Sequence, residues 1–397
     1  MHSPTIHEPP IESRGRDLNR LAALRPPRMR VIIVGAGIGG LSAAIALRRQ
    51  GHEVVVLERA PRLDPAGAGI TLFANAMNAL DRLGVAEAIA AAGGPARHSA
   101  IQTSDGREVA TVPADLLEGA VGVHRSDLQA ALLEAAGEVR LGVEIAAVDQ
   151  TGDEVVARAA DGSEERCQLL VGADGLRSLV RGSVAPSAPR YGNYTAWRGV
   201  SPMRVESGHL TESWGVGERF GLVDIGSGTY WFATANAPEG ELEDPDERKT
   251  QLMRRFTRWH APIQAVLEAT PNNAILRNDV YFLDPLPRWS NGRIVLLGDA
   301  AHATTPGIGQ GAAQALEDAV VLAREIADAD ELATALERYE SIRRPRAAVA
   351  LKRSRQADRA AQIANPPACR LRNWLVAHAP EHIQRQQLAP LVLHRAS

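Results

Sequence analysis

The feature that most limits the fold of this chain is Gly35-Ala36-Gly37-Ile38-Gly39-Gly40, a GxGxxG run between an apolar tetrapeptide and a small-residue helix. Val31-Ile32-Ile33-Val34 has no polar position, the pattern of a strand covered on both faces. Residues 41–49 read as a helix with a basic last turn, Gly51 ends it, and Glu53-Val54-Val55-Val56-Leu57 supplies a second strand. Strand, glycine turn, helix and strand within about thirty residues open a doubly wound α/β sheet. Each glycine then has a task. Gly35 permits the tight turn, Gly37 lets backbone approach a pyrophosphate, and Gly40 lets the helix pack closely on the sheet. The free N–H groups of the helix face the negative charge. Glu58 ends the second strand 18 residues beyond Gly40, where a carboxylate accepts hydrogen bonds from an adenosine ribose, and Arg59 beside it joins the same candidate site. A carboxylate there disfavours a 2'-phosphate, so the tightly held nucleotide is FAD or NAD rather than NADP.

The remaining pattern predicts one layer interrupted by another. Helices are expected over 75–92 and over 126–136, the latter with Ser126 as N-cap. Strands follow at 144–148, 154–159 and 168–171, with a hairpin at Asp161-Gly162. Twelve of the sixteen aromatic residues fall between 190 and 285, where turns at Gly208, Gly226 and Gly228 punctuate strand-like segments. A buried strand returns at 293–297, and helices are expected over 309–327 and 330–360. The predicted class is α/β: a Rossmann-like layer interrupted by a mostly antiparallel β-sheet substrate domain, with C-terminal helices. Its boundaries are a flexible leader at 1–28, a first part of the nucleotide layer at 29–185, the substrate sheet at 186–285, the second part of the layer with a long helix at 286–365, and a C-terminal helix or tail at 366–397. The leader holds Pro9, Pro10, Pro26 and Pro27, and Met29 stands directly before the first strand. Both a natural start at Met29 and a real mobile extension stay open.

Composition removes several classes. The 44 basic and 47 acidic side chains leave a formal charge of -3, which gives no field to hold nucleic acid. Cys167 and Cys369 lack metal or redox spacing and read as buried free thiols. No apolar stretch is long enough to span a bilayer and no secretory signal is visible, so a reducing, cytoplasmic location is expected.

Two later segments separate FAD from NAD. Leu169-Leu170-Val171-Gly172-Ala173-Asp174-Gly175 ends a buried strand in a turn, with Ser178 and Arg181 beyond it, and Leu297-Gly298-Asp299-Ala300-Ala301-His302 does the same later. With Pro306-Gly307-Ile308-Gly309-Gln310-Gly311 and the GxGxxG run, in this order, they make the chain resemble the single-component, class A flavoprotein monooxygenases. That group holds the para-hydroxybenzoate, salicylate and urate hydroxylases and the zeaxanthin epoxidases. The resemblance covers nearly all of 29–360. It implies FAD as resident cofactor, NADH or NADPH as transient electron donor, and O2 as the source of one inserted oxygen through a flavin C4a-hydroperoxide. It places Asp174 against FAD and the nicotinamide, Asp299 on the ribityl chain, Pro306 through Gly311 along the isoalloxazine, and Arg125 near the diphosphate and flavin. Ala312 and Ala313 depart from the family, in which an Asn commonly stands two residues after the Gly311 position.

Such chemistry requires no nucleophile, triad or metal from the protein, and none is expected here. Strand alternation in Tyr194-Thr195-Ala196-Trp197-Arg198 puts Tyr194, Ala196 and Arg198 on one face and Trp197 on the other. Arg198 is the candidate anchor for an anionic or phenolate-like substrate, with a salt-bridged strand arginine as the plain alternative. Phe73, Tyr194, Trp214 and Pro306 complete the candidate catalytic set, while Phe220, Tyr230 and Phe232 are pocket walls or core. His209 beside Gly208 reads as a solvent-exposed histidine. The expected substrate is a small aromatic or heteroaromatic molecule that becomes hydroxylated. An alkene epoxidase using the same intermediate and a flavin-dependent reductase without oxygen insertion are the alternatives. Monomer and homodimer are equally compatible.

Overall fold

The structure, a computed structural model, describes residues 28–63 and 68–394. The leader expected over 1–28 lies outside the described residues except for Arg28. β1 (Arg30–Val34) leads through the glycine turn into α1 (Ile38–Arg49) and back into β2 (Glu53–Glu58). Val31, Ile32 and Ile33 have no exposed surface. Burial of side chains of this kind stabilises the fold by about 1.5–3 kcal/mol each. β3 (Leu169–Gly172) and β4 (Ile294–Leu296) complete the middle of a six-stranded sheet. Its order is Ser290–Asn291, β4, β3, β1, β2, Arg140–Leu141. All neighbours are parallel except Ser290–Asn291 against β4.

The second layer is a seven-stranded sheet in the order 276–282, 190–201, 229–236, 218–224, 209–214, 98–103 and 108–111. Only the pairing of 209–214 with 98–103 is parallel. Two of its strands, 98–103 and 108–111, come from the stretch that the sequence groups with the first layer. Trp197, Phe220 and Trp231 pack beneath this sheet against the helices Arg248–Arg255 and Ile263–Ala269, forming a core separate from that of the first layer. After the short helix Asp299–His302 come four longer ones: α2 (Gly311–Asp328), α3 (Leu332–Ala361), α4 (Pro366–Ala377) and α5 (Glu381–Val392). The chain is therefore a mixed α/β protein of the predicted class.

Two local expectations are corrected. The helix expected over 75–92 is two helices, Ala74–Arg82 and Ala86–Ala92, because Gly84 takes a φ of +68° and turns the chain between them. The helix expected from Ser126 starts at Arg125, and the cap is His124, whose Nδ1 accepts from the Ser126 N–H at 3.2 Å. The ring nitrogen does the work usually given to a hydroxyl. The two cysteines are buried free thiols, and burial pushes the Cys167 thiol up to about 11. No helix among the described residues is long and apolar enough to cross a membrane.

Candidate active site

At the carboxyl end of the interior strand β1 the glycine run has the shape a dinucleotide needs. Gly35 has a φ of +106°, and a Cβ there would lie 2.4 Å from the Ala173 carbonyl oxygen. A Cβ on Gly40 would lie 1.9 Å from the Gly35 oxygen, so the loop and α1 touch through bare backbone. Gly37 has nothing within 4 Å of its missing Cβ, which leaves the backbone face open where a phosphate would approach. The first turn of α1 holds no acidic side chain and no side-chain cap. Glu58 Oε2 accepts from the Ala36 N–H at 2.8 Å and its Oε1 from the Ala60 N–H at 2.9 Å. Arg59 is exposed beside it.

From this end a cavity of about 1200 Å³ runs between the two layers. Gly37, Ala173 and Gly175 line it on one side, Phe73 and Arg125 on another, and Asp299 with the loop Thr304–Gly311 forms its floor. Gly307 is packed so closely on α3 that a Cβ would lie 2.5 Å from the Ser354 oxygen, and the Ser354 hydroxyl donates to the Thr305 oxygen at 2.6 Å. The loop is thereby fixed to a helix behind it. Phe73 lines the cavity beside this loop, 3.9 Å from the position of a Cβ on Gly309. Asp299 opens onto the cavity although protein surrounds the recess, and burial raises its pKa against the pull of His302 and Arg125. The Arg125 guanidinium is lowered by the same burial; Asp299 opposes the shift and Arg198 adds to it. Thr304 Oγ1, Thr305 Oγ1, Gln310 Nε2 and Asp174 Oδ1 are buried without a protein partner. Unpaired buried polar atoms are costly, and three on residues lining one recess, with Asp174 between the lining residues Ala173 and Gly175, fit a polar ligand such as a flavin and its ribityl chain. Asp174 is divided between two tasks: its Oδ2 accepts from the Leu179 and Val180 N–H groups, while Oδ1 stays free.

The second sheet forms the opposite wall. Ala196 and Arg198 line the cavity and Trp197 lies behind the sheet. Arg198 Nη2 donates to Asn278 Oδ1 at 2.8 Å, and its Nε is buried without a partner. Among the described residues no carboxylate forms an ion pair with it, so the salt-bridged alternative does not hold. Trp214, Tyr230, Phe232 and Pro306 line the cavity as well. Tyr194, expected on this face by alternation, does not reach it: the Arg219 guanidinium stands 5.7 Å from its ring centroid and takes the lining position instead. Burial pushes the Tyr194 hydroxyl far above its ordinary pKa. Phe220 is core, stacked on Trp231 at 5.5 Å. His209 is half-buried against His98 and outside the cavity.

The family profile described as FAD binding domain matches residues 28–354. The chain belongs to this family of flavoprotein monooxygenases. It is 45% identical over 357 residues to the aurachin C monooxygenase/isomerase of Stigmatella aurantiaca, covering 87% of this chain and 93% of that one. It is 35% identical over 369 residues to the 2-heptyl-3-hydroxy-4(1H)-quinolone synthase of Pseudomonas aeruginosa, covering 90% and 96%. The structure of Klebsiella pneumoniae HpxO complexed with FAD and uric acid superimposes with a TM-score of 0.85 at 29% identity, covering 91% of this chain and 96% of that one.

The flavoprotein's cavity also uses residues that sequence reasoning missed. Leu210 and Glu212 share the cavity face of one strand with Trp214, the member already expected, a signal that was readable. Arg219 is fully enclosed and donates to Asp358 Oδ1 at 2.6 Å, Thr234 Oγ1 at 3.2 Å and Glu212 Oε1 at 3.3 Å. Burial alone would lower its pKa, but Asp358 and Glu212 outweigh it and raise the guanidinium above its ordinary value. Nothing local in its strand announces partners on a helix so far along the chain. The C-terminal helices α4 and α5 line the remaining side of this cavity, and the guanidinium of Arg372 on α4 lies 4.8 Å from the centroid of the Trp214 ring.

Proposed function

We propose that the enzyme uses FAD, NADH or NADPH, and O2 to hydroxylate a heteroaromatic small molecule that carries an ionised or enolate-like oxygen. The observation that carries this reading is the unpaired positive charge of Arg198 on the cavity wall, with the aromatic walls Trp214, Tyr230 and Phe232 beside it. Relatives whose names include quinolone and urate hydroxylation support the same class. When bound, reduced FAD supplies the activation of dioxygen. The protein's share is to hold and orient. Gly35, Gly37, Gly40, Glu58 and Arg59 would keep the adenosine end, and Arg125, Asp174 and Asp299 the phosphates and ribityl chain. Pro306, Gly307, Gly309, Gln310 and Gly311 would support the ring. The start of α2 has no acidic side chain in its first turn, so its free N–H groups favour negative charge on a reduced ring. Arg198 would fix the substrate's anionic oxygen, and Phe73 would border the ring from the other side. The aromatic and aliphatic walls limit the access of bulk water to the reacting atoms. Two free, buried thiols and the need for a pyridine nucleotide support a cytoplasmic setting.

The test follows NADH and NADPH oxidation by the purified flavoprotein against phenols, hydroxypyridines, purines and quinolones, with mass spectrometry of the products. A compound that stimulates oxidation and gains 16 mass units, about one oxygen atom, with its ring unsaturation kept supports the hydroxylase reading. Nucleotide oxidation that proceeds without oxygen, with no oxygenated product, would assign a reductase instead. With such a substrate, Arg198→Gln is expected to lower kcat/KM about 10- to 100-fold, because hydrogen bonds to charged groups contribute about 1.5–3 kcal/mol. The same variant should lose far less on a neutral analogue of the same ring. An equal loss on both would remove Arg198 as the anion anchor.

A further inference from the structure

We propose that the arm of the cavity enclosed by α4, α5 and the 99–116 wall binds an aliphatic tail carried by the substrate. The ring assignment rests on the hydroxylase reading above, and the tail rests on the lining of the arm itself. From α4 and α5 come Val376, Ile383, Leu388 and Leu391, and from the facing wall Val112 and Leu116. None of the residues that these three segments give to the cavity is charged. That contrasts with the inner end, where Arg125, Arg198, Arg219, Glu212 and Asp299 converge. One continuous space thus has a polar, charge-bearing end at the ring site and an uncharged, largely aliphatic outer arm. Its volume of about 1200 Å³ includes the space assigned above to the flavin. A ring alone would leave the outer walls wet.

The arm also has a way in. Leu375 and Ile383 line the cavity while remaining 54% and 39% exposed, so the arm reaches the surface between α4 and α5. Around that opening Leu371 and Trp374 are 58% and 56% exposed, an apolar rim where a soluble protein would ordinarily place charge. The enclosing helices are tied down by polar contacts, one of them from Arg353, which itself lines the cavity from α3, and Gln384 and Gln387 add uncharged polar groups to the α5 lining. Arg346 donates to the Pro390 and Leu391 oxygens, Arg353 to the Gln387 oxygen, and Arg385 pairs with Asp115 at 2.5 Å. The wall is fixed at both ends of α5, and its aliphatic side chains, Ile383, Leu388 and Leu391, are left to contact hydrocarbon.

The test measures binding of 2-alkyl-4-quinolones with chains from methyl to nonyl to the flavin-loaded protein by calorimetry, with no pyridine nucleotide present and hence no turnover. Each added methylene is expected to tighten binding about fourfold until the arm is filled, the ratio implied by about 0.8 kcal/mol per buried methylene. Leu388→Trp, and independently Val376→Phe, should abolish that increment for the long chains while the methyl compound still binds. Either variant can be checked for folding by its retained flavin absorbance. If the methyl compound binds and chain length makes no difference in the wild type, the tail assignment is overturned and the ring reading stands. If no quinolone binds, the ring reading is what fails for this class. Primary alcohols from propanol to decanol then decide the arm alone. Affinity that climbs with chain length and is lost in Leu388→Trp upholds it, and a flat series or one indifferent to the substitution overturns it.

Discussion

Arg343→Ala is expected to lose about 3–5 kcal/mol of unfolding free energy, read as a fall in the denaturation midpoint in urea. Arg343 has no exposed surface, and neither do Glu317 and Asp318, with which it pairs at 2.5 and 2.7 Å. Its remaining N–H groups donate to the backbone and side-chain oxygens of Gln314. Truncation removes the cation but leaves two carboxylates out of water, which is the costly way to break a buried pair. Arg346 still reaches Glu317 and His302 still reaches Asp318, so collapse of the fold is not expected. A change below about 1 kcal/mol would show that these two neighbours carry the compensation and that Arg343 is redundant. The same network fixes an acid response. Burial pushes Asp318 up, but His302 and Arg343 outweigh it and bring the carboxyl from an ordinary 3.8 to about 2. A depressed folded pKa means stability that is complete above the unfolded value near 3.8 and lost as pH falls toward 2. Arg343→Ala should therefore begin to unfold at a higher pH than the parent.

Gly40→Val should yield a folded but colourless protein. The added Cβ alone would stand 1.9 Å from the Gly35 oxygen and 3.3 Å from the Ala173 side chain, before the valine's own branches are counted. Either α1 moves away from the sheet or the loop moves out, and both displace the N–H groups at the dinucleotide site. The core of α1, with Leu41, Ala44 and Leu47 buried, is large enough to keep the helix docked, so the loop is the part expected to give. Flavin absorbance after purification and the increase in melting temperature on adding free FAD report the outcome. A yellow Gly40→Val protein with parental FAD affinity would remove this contact from the binding argument. Gly37→Ala separates space from fold, since its Cβ meets nothing within 4 Å. That protein should melt like the parent and still bind FAD more weakly, because the methyl group occupies the face the phosphate would approach.

The nucleotide layer was legible because its signals are local. A continuous apolar run, a glycine turn and a helix of small residues sit side by side from Val31 to Arg49, and β3 and β4 repeat the logic. Arg198 was legible by period two, since its strand is regular from Thr195 onward. Tyr194 was not, because alternation gives the face and not which neighbour fills it. Arg219, two strands away in the same sheet, arrives first. The buried charges escaped for a different reason. Glu317, Asp318, Arg343 and Arg346 look like the solvated side of two amphipathic helices, and only their mutual pairing across α2 and α3 makes them interior. The role of α4 and α5 was equally hidden, as nothing in residues 366–392 names the opposite wall they cover.

The strand order of the first sheet has a bearing on how the protein is made. β1 leaves the ribosome well before one of its two neighbours, Leu169–Gly172, and before the strand beyond that, Ile294–Leu296. Until those segments are synthesised, β1 can pair only with β2, and its bare edge and apolar faces must wait. Parallel pairing between remote segments is slow to form, and an unpaired edge invites association with other chains. The second sheet, built mainly from sequence neighbours between 190 and 236, can close while translation is still running. The nascent chain thus meets its hazard early and its remedy late, and overproduction is expected to be more soluble when translation is slowed by cooling or when FAD is plentiful as the last strand arrives.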